Sequence, residues 1–107
     1  MPPSLPEFEL AVLLTIARLH DDAYGVRIWR EVNTIRGHEY AIGAIYTVLQ
    51  RLEDKGFAIS RMGESQPVRG GRSRRHYRLT AAGQRAIRQA REAATRLWNA
   101  GDLGTAH

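Results

Sequence analysis

Residues 41–57, AIGAIYTVLQRLEDKGF, decide how the rest of the chain is read. Ile42, Ile45, Val48, Leu49 and Leu52 recur at helical spacing, and the run stops at Lys55-Gly56, where a glycine can close a helix. The opposite side holds Gly43, Ala44, Tyr46, Thr47, Gln50 and Arg51. It is small at its start, then aromatic and hydrogen-bonding, with one positive charge. An ordinary solvated face with Tyr46 half buried would account for the polarity. A surface that meets a partner closely would account for the bare start as well.

The flanking segments place this helix third in order. After a proline-rich start, Phe8 to Leu19 is helical in pattern, with apolar side chains wrapping wider than one stripe. A helix that is greasy on two sides is usually covered on both, which suggests a subunit contact beside the core contact. Asp21 or Asp22 is the expected cap of a second helix, whose stripe runs Tyr24, Ile28, Val32, Ile35 and ends at Arg36-Gly37. Beyond the third helix, two short alternating runs read as strands. Phe57 to Met62 is expected to turn Phe57 and Ile59 to one side, and His76 to Leu79 to pair Tyr77 and Leu79 on one face. GESQPVRGGRSRR between them reads as a polar hairpin tip. Thr80 is placed to cap a last helix, with Gly83, Ala86 or Ile87, Ala90, Ala94, Leu97 and Trp98 on its apolar side.

Charge is distributed unevenly along this order. The formal net charge is +5, and the segment from Arg61 to Arg78 carries six arginines against the single acid Glu64. Elsewhere ten basic and ten acidic side chains balance, so the excess belongs to the hairpin. A localised basic segment is the electrostatic footprint of a nucleic-acid binder, and guanidinium forks suit phosphates. Other classes fit poorly. With no cysteine there is neither a disulfide framework nor a thiolate metal site. His20, His38, His76 and His107 are scattered, so no zinc motif forms. Gly70-Gly71 precedes no helix, and Asp21-Asp22 and Glu53-Asp54, as sequence neighbours, point apart on a helix. No enzyme activity, metal or cofactor is expected. The apolar stretch at residues 10–17 is far short of the roughly 20 residues a membrane helix needs. MPPSLPEFE lacks the basic start of a secretory signal, so a cytoplasmic location is expected.

Three helices followed by a β-hairpin are the order of a winged helix-turn-helix, giving a mainly α fold with a small β-hairpin. In that architecture the third helix enters a DNA major groove and the hairpin, or wing, reaches phosphates or the minor groove. The small Gly43 and Ala44 then allow close approach to the DNA backbone. Tyr46, Thr47 and Gln50 offer donors and acceptors, and Arg51 neutralises a phosphate.

DDAYGVRI, GAIYTVLQRLEDKGF and GGRSRRHYRLTAAGQRAI, in that order, resemble the PadR family of bacterial transcriptional regulators. The likeness covers roughly residues 8–90. It implies a winged-helix homodimer that represses transcription from double-stranded DNA, released in some members by a small hydrophobic effector. By position, Tyr24, Gly43, Ala44, Tyr46, Thr47, Gln50 and Arg51 match the helix-turn-helix DNA face, and Arg72, Arg74 and Arg75 match the wing. One departure is Ala41, which stands where the family often has a capping serine or asparagine. Such a cap is worth on the order of 1 kcal/mol, so the third helix should start less firmly.

The expected organisation is a flexible arm over residues 1–7, the winged helix-turn-helix over 8–80, a dimerisation helix over 81–98 and a frayed tail over 99–107. The likeness is to the short-tailed branch, in which the last helix and the wide-faced first helix make the dimer. Trp29, Leu97 and Trp98 are then expected to pack at the dimer interface or to hold a flat hydrophobic effector. The rival from another class is a winged-helix docking module whose arginine-rich hairpin binds an acidic protein partner.

Overall fold

The computed structural model describes residues 5–63 and 74–101. Its elements are α1 (Glu7–Leu19), α2 (Gly25–Arg36), α3 (Ile42–Asp54), β1 (Ala58–Met62), β2 (Arg75–Leu79) and α4 (Ala81–Ala100). A single 3-10 turn, His20–Asp22, links α1 to α2. Val12, Leu13 and Ile16 of α1, Ile28 and Val32 of α2, and Ile45, Val48, Leu49 and Leu52 of α3 form one buried core. The expected apolar positions of α3 are therefore those it buries, except that Ile42 is only half-buried. At the rim, Glu9 of α1 is 5% exposed and takes a bond from the Lys55 ammonium at 2.6 Å, tying the start of α1 to the end of α3.

The end of α3 follows from its glycine. Gly56 adopts φ +78°, and the amides of Gly56 and Phe57 turn back onto the carbonyls of Glu53 and Leu52. That pair of bonds satisfies the last carbonyls of the helix and reverses the chain into β1. The reversal absorbs Phe57, so the strand begins one residue later than its apolar pattern suggests.

The face of β1 therefore differs from expectation. β1 and β2 pair antiparallel, with Ala58 opposite Leu79 and Ser60 opposite Tyr77. Because Tyr77 is the inward side chain, its cross-strand neighbours Ala58 and Ser60 share its face. Ala58 is buried, and Ile59, expected to share a side with Phe57, is 49% exposed.

The start of α2 is also different. Asp21 and Asp22 do not cap it; they lie in the 3-10 turn, and the residue before α2 is Tyr24, extended and without a side-chain cap. The cause is the sheet. The Tyr77 amide donates to the Ala23 carbonyl at 2.8 Å, and Tyr24 bridges to His76, so the hairpin recruits residues 23–24 as a third short edge. At the other end of α2, Ile35 is exposed rather than closing the stripe. That end is held instead by Arg36, whose Nε donates to the Tyr40 hydroxyl at 2.6 Å while the Tyr40 ring stacks on Phe8.

α4 starts as its sequence indicates. The Thr80 hydroxyl accepts from the Gly83 amide at 3.0 Å and donates to the Gly56 carbonyl at 2.6 Å, so one side chain caps α4 and ties it to the end of α3. A Cβ at position 83 would run into the Phe57 carbonyl, which makes glycine the residue that lets α4 pass this close. Ala86 and Ile87 then lean on the core. From Arg91 to Ala100 every residue is exposed. The helix continues two residues past Trp98 and stops at Gly101, the first glycine after that tryptophan. No helix among the described residues is long and apolar enough to cross a membrane.

Candidate nucleic-acid interface

Tyr24 and Gly25 form the joint on which the site is built. Gly25 is buried, and the Tyr46 ring of α3 lies directly on it: an added Cβ would sit 2.6 Å from two ring carbons. Glycine at the first position of α2 is thus the seat for the aromatic side chain that stood out in the sequence. On the adjoining side, the Arg74 guanidinium lies 4.4 Å from the Tyr24 ring centroid, a cation–π contact, and the His76 ring meets Tyr24 edge-on at 5.7 Å. One short stretch of backbone therefore holds both α3 and the base of the hairpin.

Strand alternation divides the two consecutive arginines. Arg74 is on the Tyr24 side, whereas Arg75 is on the Tyr77 side, where its Nη1 donates to Ser60 Oγ at 3.0 Å. Ser60 in turn donates to Glu53 Oε2 of α3 at 2.9 Å. The Tyr77 phenol belongs to the same neighbourhood. Burial pushes its pKa above the ordinary phenol value, Glu53 pushes it further, Arg75 opposes, and Tyr46 adds a smaller upward influence. Tyr46 and Arg75 thus bear on one group from the helix and from the hairpin.

Along α3 the remaining polar side chains are exposed. Thr47 Oγ1 donates to the Gly43 carbonyl at 3.0 Å, and Gln50 Nε2 donates to Asp54 Oδ1 at 3.0 Å. Arg51 and Gly43 are exposed and Ala44 is half-buried. Apart from its chain neighbours and the backbone of its own helix, no atom of the described residues comes within 4 Å of where a Gly43 Cβ would sit, so no contact among them demands a small residue there. Ala41 makes no side-chain cap to the first amides of α3.

Of the wing residues singled out in the sequence, Arg74 and Arg75 join this site; Arg72 lies outside the described residues. Trp29 belongs elsewhere in the fold: its Nε1 donates to the Tyr40 carbonyl at 2.7 Å, holding the α2–α3 turn of its own chain. Leu97 and Trp98 are each 75% exposed on the outer half of α4. Sequence inspection missed Glu53, Ser60 and His76. Ser60 lies opposite Tyr77 only in the observed register, and local alternation does not reveal register. Among the described residues, no three His, Asp or Glu side chains gather where they could hold a metal ion.

Residues 12–89 match the family described as the transcriptional regulator PadR-like family. Among curated proteins, none matches. Among solved structures, the complex structure of hsRosR is similar, with a TM-score of 0.69 at 23% identity, covering 88% of this chain and 76% of that one. A PadR family transcription regulator from Clostridium difficile gives a TM-score of 0.65 at 21% identity, covering 88% of this chain and 96% of that one. A PadR family transcriptional regulator from Eggerthella lenta gives 0.64 at 25% identity, covering 90% of this chain and 82% of that one. The structural likenesses agree with the observed fold, and the family match runs from α1 into α4 and takes in α2, α3, β1 and β2. The chain belongs to the PadR-like family of transcriptional regulators.

Proposed function

We propose that the protein is a homodimeric repressor that reads a near-palindromic operator with α3 and grips flanking phosphates with its wing. The observation that carries this is the convergence of Tyr46 from α3 and Arg74 from the hairpin on the Tyr24–Gly25 joint. One duplex lying across that joint would meet both. In such a complex Tyr46, Thr47 and Gln50 face base edges or phosphates, the hydrogen bonds of Thr47 and Gln50 within α3 being exposed and exchangeable. Arg51, Arg72, Arg74 and Arg75 meet phosphates, and Gly43 and Ala44 permit the approach. The apolar side of the outer half of α4, exposed among the described residues, supports the homodimer. Leu97 and Trp98 are its largest exposed members and are also the side chains a flat hydrophobic effector would use.

Selection of bound duplexes from a random pool, followed by gel shifts over a range of salt, tests this. The expected result is paired half-sites about 10 bp apart or a multiple of that. Affinity should fall steeply with salt as arginines release counterions. Replacing Arg74 should weaken binding to all sequences alike, whereas replacing Tyr46 or Gln50 should also blur site preference. Failure of the wild-type protein to retard any duplex at low salt would overturn the proposal and favour docking to an acidic protein.

A further inference from the structure

We propose that Ser60 is a positioning residue for DNA reading: bridging Arg75 of the wing and Glu53 of α3, it fixes the angle between hairpin and helix. This rests on the DNA-binding function proposed above and assigns Ser60 and Glu53 a task other than contact with DNA.

The chemistry of the three groups leaves one arrangement. A guanidinium can only donate and a carboxylate can only accept, so a hydroxyl between them must receive from Arg75 and give its single proton to Glu53. The observed distances, 3.0 Å and 2.9 Å, fit that direction. Alanine cannot replace such a group, but threonine, which suits a strand, can.

Position gives the bridge its consequence. Glu53 follows Tyr46 by seven residues and Gln50 by three, so it lies on the same side of α3, farther along the helix. A carboxylate there would repel phosphate if left to swing toward DNA. Ser60 turns it to the hairpin, where Arg75 offsets its charge. The buried Tyr77 is paired directly opposite Ser60 in the sheet, and the Ser60 hydroxyl is a polar link from that sheet to α3. The wing is thereby set at a fixed offset from the bases that α3 meets, so a phosphate contact that carries no sequence information contributes to register. Arg74 lacks this duty. It leans on Tyr24, and it should contribute more than Arg75 to the salt dependence, since Glu53 already balances part of the Arg75 charge.

The test compares wild type, Ser60→Ala, Ser60→Thr and Glu53→Gln in gel shifts on the best duplex selected from the random pool and on a random-sequence duplex. Ser60→Ala should lose about tenfold in preference for the selected duplex, the scale of one charge-assisted hydrogen bond. Its binding to random duplex should stay within about twofold of wild type, and Ser60→Thr should restore the preference. Glu53→Gln should bind random duplex more tightly while discriminating less, a combination that mere loss of folding would not produce. Unchanged preference in Ser60→Ala, or equal losses on both duplexes, would overturn the inference. Absence of any shift with wild type would instead overturn the DNA-binding function beneath it.

Discussion

At Gly83 an added methyl group meets the Phe57 carbonyl, which is backbone and cannot swing aside. At Gly25 it meets the Tyr46 ring, which can. Gly83→Ala should therefore destabilise the fold by about 1–3 kcal/mol, seen as a lower urea midpoint at unchanged slope. Gly25→Ala should move Tyr46 off its seat, with a smaller loss of stability and a clear loss of duplex affinity, read by gel shift beside the same denaturation curve. Tyr46 itself was visible in the sequence as an aromatic on an otherwise polar face. Its seat was not, because a contact between residues on two different helices leaves no local pattern. Tyr77 gives a third prediction at this scale. Its phenol keeps its proton to higher pH in the folded chain than in the unfolded one, because burial and then Glu53 raise its pKa. The stability it contributes is complete below the ordinary value of about 10 and is lost as pH rises through the raised value. Thermal midpoints followed from about pH 8 to about pH 11 should fall for wild type and stay flatter for Tyr77→Phe.

Elements with a period and a clear stop were legible. α3 announced its buried residues and its glycine, and α4 announced its threonine cap, because these depend on neighbours a few positions away. β1 and the start of α2 were not legible, for one shared reason. The turn after α3 consumes Phe57 and shifts the strand phase, while pairing with β2 draws in Ala23 and Tyr24 and leaves Asp21 and Asp22 in a separate turn. Both effects come from hairpin register, which tertiary contacts set. The bare start of α3 was legible and offers a direct test. Ala41 already has the extended backbone of a capping residue but lacks the oxygen. Ala41→Ser should therefore stabilise the protein by about 0.5–1 kcal/mol in urea denaturation.

Over the whole molecule, α4 divides into two halves of different character. The first leans on the core through Gly83, Ala86 and Ile87, whereas the second, residues 91–100, touches little of its own chain. Its Leu97 and Trp98 form an apolar end that a second copy of the chain would cover on the proposed assembly. The double variant Leu97→Ser with Trp98→Ser should shift the protein from dimer to monomer in sedimentation velocity and weaken operator binding. Its urea midpoint should fall to that of the isolated chain and no longer depend on protein concentration. If a second copy supports that half of the helix, as proposed, the protein would be sensitive to its own abundance. Mass action would raise its melting temperature as it accumulates and loosen it on dilution. Scarcity alone would then lift the proposed repression, with a threshold set by how firmly the two helices of the proposed dimer hold each other.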